Sequence, residues 1–284
     1  MQNNPWIFLG AGLLAVAICS TNASAQNASP KAPARASTTT SQGPSTKDWA
    51  DLGKLPDWSG TWIPNLRLQT EEITKNPTPW TPKAAAQIAT MQVEEKAGKS
   101  KGGLFVNCLP EGMPTWMMIT HNALEFLFTP GRVTMLGESD GNRIRRIYTD
   151  GRPHPQDPDL TFHGHSIGRW EGDTLVVDTI GVLPQSYIAI TETVGIPNNG
   201  DMRVVERIRL TGPDTLQDEL EITAPRVLSR AWKTSRIYRR QRGPEADIVE
   251  GVCQQGFFNP EVDQVGNQVF VPLPTPPFLS RDRK

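Results

Sequence analysis

The sequence predicts a mainly β protein: an antiparallel meander of strands closing into a barrel, with one helix on its N-terminal side and Pro-rich tails. Three observations carry that prediction. Downstream of residue 108 apolar residues recur with period two, the joints between the runs are made of turn residues, and only one segment has the marks of a helix. A row of short antiparallel strands leaves two open edges unless the sheet curls on itself, and closure removes both.

Taken from the N-terminus, "WIFLGAGLLAVAI" (residues 6–18) is apolar but shorter than the about 20 residues a bilayer core requires. It reads as the core of a signal peptide (residues 1–25), cleaved after the small-residue pattern Ala23-Ser24-Ala25. The flank "MQNNP" carries no Lys or Arg. The alternative, lipid attachment at Cys19, meets Ile18 where a small residue is expected. Residues 26–47 are rich in Ser, Thr, Ala and Pro and have no aromatic, so they bury too little to offset their ordering entropy and are expected to form a disordered tether. Residues 48–270 are then one barrel-like domain, and residues 271–284, "VPLPTPPFLSRDRK", a Pro-rich extended tail. This organisation implies a periplasmic or secreted protein with no integral membrane span after cleavage. Its oligomeric state is not legible.

Within the domain, "TPKAAAQIATMQVEEKAG" (81–98) is the helix, with Thr81 as N-cap, Pro82 at the first helical position and Gly98 at the C-terminal cap. The strand runs are "NALEFLF" (122–128), "RVTMLGE" (132–138), "RIRRIYTD" (143–150), "HSIGRW" (165–170), "TLVVDTIGV" (174–182), "MRVVERIRL" (202–210), "TLQDELEIT" (215–223) and "AWKTSRIYRR" (231–240). Pro130-Gly131, Asp140-Gly141-Asn142, Glu171-Gly172-Asp173 and Gly212-Pro213-Asp214 supply the turns.

Upstream, "DWSGTWIP" places Gly60 two residues before Trp62, an arrangement that resembles the opening of the first lipocalin strand. With the later meander, the chain looks like a calycin-type barrel. A second resemblance rests on "IYTDGRPHPQDPDLTFHGHSIGRWEGDTLVVDT" and on the C-x-P-x-G-x-P run from Cys108 to Pro114. Over residues 107–240 the chain is similar to a group of secreted bacterial proteins to which no function is assigned. Where that pattern has a Pro-His pair, this chain has Pro197-Asn198-Asn199, which marks it as divergent.

Twenty-nine basic residues against 30 acidic ones exclude a general nucleic-acid binder, which needs a basic surface. Of three cysteines, Cys108 and Cys253 remain after cleavage and are expected to form a disulfide in an oxidising compartment, a reactive thiol being the alternative.

Strand parity singles out candidate site residues, because alternate side chains share a face. Glu206 shares one with Met202, Val204, Ile208 and Leu210; Asp218 with Leu216, Leu220 and Ile222; Asp178 with Val176 and Ile180, although Leu175 and Val177 make its other face apolar too. Carboxylates in a barrel lumen are candidates for acid–base work, since burial raises a carboxyl pKa towards neutrality. The structural alternative pairs each with an arginine, Arg236 and Arg169 being the nearest strand-borne choices.

In an extended His163-Gly164-His165 both imidazoles would point to one side, with His154 brought near by the preceding loop. The candidate catalytic residues are His165, Glu206 and Asp178, and the candidate ligand contacts are His163, Trp170, Asp218 and Arg236. His154, His163 and His165 also form a candidate zinc or copper site. His121 reads as a turn histidine, and Trp116, Trp232 and Tyr238 as core. No nucleophile elbow, phosphate loop or dinucleotide fingerprint appears.

Three functional readings stay open. The first is a lipocalin-like protein that binds a small apolar or aromatic molecule and transforms it, if at all, by cofactor-free acid–base chemistry of a lyase, dehydratase or isomerase type. The second is a periplasmic metal-binding protein holding a divalent transition metal. The third is a non-catalytic envelope protein with protein partners. For the exported chain, intact-mass analysis is expected to give an N-terminus at Gln26; a mass that includes acyl chains on Cys19 would reverse the leader assignment.

Overall fold

The computed structural model describes residues 46–99, 110–119, 123–243 and 246–250, and two further strands as backbone. In chain order the elements are α1 (Trp49–Leu52), β1 (Thr61–Pro64), α2 (Leu66–Lys75), α3 (Pro82–Lys96), α4 (Thr115–Met118), β2 (Leu124–Thr129), β3 (Arg132–Gly137), α5 (Ser139–Asn142) and β4 (Ile144–Tyr148). They continue with β5 (His165–Glu171), β6 (Thr174–Ile180), β7 (Tyr187–Ala189), β8 (Gly195–Pro197), β9 (Arg203–Gly212), β10 (Thr215–Thr223), β11 (Trp232–Gln241), β12 (Phe258–Val262) and β13 (Gln268–Pro272). The signal-peptide segment, Cys108, Cys253, His121 and the tail beyond residue 272 lie outside the described residues. Thr46, expected in the tether, is already docked: its hydroxyl donates to the Thr149 carbonyl at 2.9 Å, and its own carbonyl accepts from Gly131 N–H.

Nine strands close into a barrel in the order β1-β11-β10-β9-β6-β5-β4-β3-β2. All seams are antiparallel except one. At β4–β5 the strands run parallel, held by only two residue pairs, Ile147↔Ser166 and Tyr148↔Ile167, which corrects the expectation of an unbroken antiparallel meander. The reason lies in residues 149–164. Pro153, Pro155 and Pro158 have no N–H to give to a ladder. The segment therefore runs back along the outer wall, from the end where β2–β3, β5–β6 and β9–β10 turn, to the opposite end where β5 begins. A parallel neighbour requires such a crossover.

The expected helix appears as α3, with the Thr81 hydroxyl capping Ala84 N–H and Gly98 left-handed just past its end. A second helix, α2, was not expected; it is capped by the Asn65 side chain and leans on β11, where Trp232 Nε1 donates to the Asn76 carbonyl at 3.2 Å. Among the described residues no helix is long and apolar enough to cross a membrane.

The two ends are closed differently. At the turn end Trp58 packs on Phe126, Phe128 and Trp170 with ring centroids 5.0–5.6 Å apart, and the Arg240 guanidinium lies 4.6 Å over the Trp62 ring where β1 meets β11. At the other end α4 enters as a plug, with Trp116, Met117 and Met118 fully buried. The Met117 carbonyl accepts from Tyr238 Oη at 2.8 Å and the Met118 carbonyl from Arg236 Nε at 2.6 Å, so α4's C-terminal acceptors are met by β11. Gly137 has no side chain because Trp116 occupies the place: a Cβ there would sit 2.5 Å from the indole.

Candidate functional site

Four neighbouring strands point polar side chains at one spot inside the wall. Arg145 on β4, Ser166 on β5, Thr179 on β6 and Glu206 on β9 are all inward and buried, Glu206 at 0% exposure and Arg145 at 1%. Arg145 grips Glu206 with both ends of its guanidinium, Nη1 to Oε1 at 2.8 Å and Nη2 to Oε2 at 2.5 Å. It also donates to Thr179 Oγ1 at 2.9 Å and to Ser166 Oγ at 3.2 Å, and the two hydroxyls lie 2.8 Å apart. A bidentate arginine–carboxylate pair with its remaining donors satisfied is the geometry in which a buried charge pair is tolerable. The partner of Glu206 is thus Arg145, not Arg236 or Arg169; Arg169 lies outside, paired with Glu171. Arg145 shares a strand face with Ile147, but Arg146 on the other face lies beside Ile144 and Tyr148, so alternation does not mark which arginine is buried.

Asp218 and Arg236 are opposite one another in register on β10 and β11, yet they do not pair. The Arg236 guanidinium turns towards the plug and the Thr234 hydroxyl, leaving both Asp218 oxygens buried without a hydrogen-bond partner. Burial, and after it the charge of Glu206, raises the Asp218 carboxyl well above its ordinary 3.8 and so favours its neutral form. At 0% exposure no water-sized space adjoins Asp218 or Glu206, and Trp170 is taken up in the aromatic cluster of the turn end.

The histidines and Asp178 lie elsewhere. Ser166 is the inward residue at the start of β5, so its neighbour His165 points outward, away from Glu206. Asp178 is also outward, because Leu175, Val177 and Thr179 take the inner positions of β6. Burial pushes the Asp178 carboxyl up, but Arg203, at 2.6 Å, outweighs this and with His154 holds it below its ordinary value. His154 Nδ1 lies 2.9 Å from His165 Nδ1, His154 Nε2 lies 3.7 Å from Asp178, and His165 stacks on Tyr148. Gly164 is left-handed, φ 68°, so the His163-Gly164-His165 segment is bent rather than extended and sends the two imidazoles apart. The alternative three-histidine metal set, less favoured from the sequence, is therefore not assembled. Among the described residues no three His, Cys, Asp or Glu side chains converge as metal ligands would.

His163 turns instead to the seam. Above the two residue pairs that join β4 to β5 the strands part, and between them opens a cleft of about 560 Å³ lined by Arg143, Ile144, Arg145, Arg146, Tyr148, Phe162, His163, His165 and Ser166, among others. His163 stands edge-on to Trp116, ring centroids 5.0 Å apart, and among the described residues neither of its buried ring nitrogens has a hydrogen-bond partner; nor has the buried Nε of Arg143. Burial first, then the charges of Arg145 and Arg143, pull the imidazole down to about 3, so it is neutral. The cleft thus presents apolar and aromatic walls, two unpaired polar edges, and a floor that touches the Arg145–Ser166 network.

No protein-family model matches the chain, and no curated protein matches it in sequence.

Two outcomes follow. Glu206→Gln and Arg145→Met should each cost about 3–5 kcal/mol in urea unfolding, while the double replacement by apolar residues should cost less than either, since it leaves no buried charge unpaired. For Asp218 the folded carboxyl keeps a proton that the unfolded chain releases above about 3.8, so native stability falls as pH rises through the interval between those two values. Asp218→Asn removes that penalty: its melting temperature should exceed the wild type's at pH 7, with the gain shrinking towards pH 4.

Proposed function

We propose that the protein is an extracytoplasmic, lipocalin-like binding protein that takes a small, mostly apolar or aromatic molecule, not in the barrel axis but in the cleft where β4 and β5 part. One observation carries the reading: the cleft holds buried polar atoms, both His163 ring nitrogens and Arg143 Nε, that have no hydrogen-bond partner among the described residues. A buried polar atom left unpaired costs about 1–3 kcal/mol, so a fold that keeps three of them at the edge of one cleft is suited to an occupant that satisfies them. A volume of about 560 Å³ falls within the range of small-molecule sites, and Tyr148 and Phe162 offer flat apolar contact.

A second reading, an acid–base step on the bound molecule, is favoured by His165 at the cleft rim. Asp178 favours a proton on His154 Nε2, which leaves His154 Nδ1 to accept from His165 Nδ1–H and His165 Nε2 free as a base. Here Asp178 and His154 orient His165, and Glu206 acts through Arg145 at the floor.

A thermal-shift screen with small hydrophobic and phenolic compounds on the mature protein tests the binding reading. A true ligand raises the melting temperature, by about 2.7 kcal/mol of added stability at a hundredfold excess over Kd. Ile144→Trp, which fills the cleft mouth from an exposed position, should abolish the shift. Hits that bind Ile144→Trp as well as wild type would remove the cleft from consideration. Recovery of the compound chemically altered by the wild type but not by His165→Ala would select the acid–base reading.

A further inference from the structure

Around the barrel several exposed arginines meet carboxylates: Arg152 meets Asp150, Arg169 and Arg207 share Glu171, Arg203 meets Asp178, and Arg226 meets Asp201, while Arg132, Arg230 and Arg239 stand singly, with no ion pair among the described residues. The cleft is lined by Arg143, Arg145 and Arg146 and, among the described residues, by no Asp or Glu. Arg145 is neutralised by Glu206 from the inside, but Arg143 and Arg146 have no ion pair among the described residues. Two uncompensated cations at one cleft, in a chain whose formal net charge is −1, are a local charge imbalance that an anion would correct.

Resting on the cleft reading above, we propose that the ligand is a small organic anion: a carboxylate or phosphate oxyanion, carried on an apolar or aromatic body, with Arg143 and His163 holding the oxyanion. The donors fit this chemistry. An arginine Nε and the neighbouring Nη form the parallel pair of N–H groups that matches two oxyanion oxygens, and in Arg143 that Nε is buried and unsatisfied. His163, neutral in its buried place against Trp116, adds one N–H without adding charge. Arg146, exposed at the rim, strengthens the field that draws an anion in. Phe162, Tyr148 and Ile144 then cover the rest of the molecule. Among the described residues a cation finds no carboxylate here, and a neutral molecule would leave the Arg143 charge without a counter-ion in a partly desolvated place.

Isothermal titration of the mature protein at pH 7 with three matched probes, benzoate, phenyl phosphate and benzamide, tests this. The expected result is that benzoate or phenyl phosphate binds at least about tenfold more tightly than benzamide, a difference of about 1.4 kcal/mol. The stronger of the two anions identifies carboxylate or phosphate as the group recognised. Binding of that anion should weaken about tenfold or more in Arg143→Gln, weaken in His163→Phe, which keeps the aromatic contact with Trp116, and be lost in Ile144→Trp. If benzamide binds as tightly as the anions and Ile144→Trp abolishes all three, the cleft is a binding site but not one for anions, and this proposal falls alone. If the probes bind and Ile144→Trp has no effect, or if none binds, the cleft reading falls and takes this proposal with it.

Discussion

The buried contact between Arg145 and Glu206 is the constraint around which the rest of the molecule is arranged. Its partners belong to β4, β5, β6 and β9, four consecutive staves of the barrel, so one guanidinium reaches across three seams at once. One of those seams is the parallel junction of β4 with β5, where only two residue pairs form a ladder. Backbone hydrogen bonds are scarce there, and the side-chain network stands in for them. The desolvation of two charges is tolerable because every strong donor of Arg145 has an acceptor and the pair is bidentate. Losing either charge would strand the other inside the wall at the point where the wall is thinnest in hydrogen bonds.

The same junction explains why a cleft exists at all. Strands that run antiparallel through a tight hairpin stay in register along their whole length, as β5 and β6 do. Strands joined by a long crossover need not, and β4 and β5 pair only through the last two residues of β4 and the second and third of β5. The separation leaves a space that borders the buried Arg145–Ser166 floor and is bounded by the returning chain at Phe162 and His163. A barrel whose axis is filled by Trp62, Trp116, Met118 and Tyr238 thereby offers a binding surface in its side instead of its mouth.

Much of this was legible in the sequence. Period-two patterning located the barrel strands to within a residue or two, the turn residues located the hairpins, and parity correctly turned Glu206 and Asp218 inward. What parity could not decide was a strand apolar on both faces. In β6 the inner positions went to Leu175, Val177 and Thr179, and Asp178 fell outside. Arg145 escaped because "RIRRIY" carries arginine on both faces, so no alternation marks the buried one. The histidine segment was misjudged through a single dihedral: Gly164 adopts a positive φ, open to glycine and barred to most residues, and this separates imidazoles that an extended chain would have put together. The direction of β4 relative to β5 depends on where a Pro-rich connection travels, which is a property of the whole wall and not of any local run.

The barrel closes between its first strand and its last, Thr61 opposite Gln241. Nothing nearer in the chain can take the place of either partner, because β1 is separated from β2 by three helices and joins it at a single residue pair. Until residue 241 has emerged, the strands already made form an open sheet with two free edges and no cover for Trp62. Closure then demands that a very long loop be brought together before its contacts reward the entropy lost, which makes it the slow, late event of folding. An interrupted chain that lacks β11 has a sheet to build but no barrel to reach.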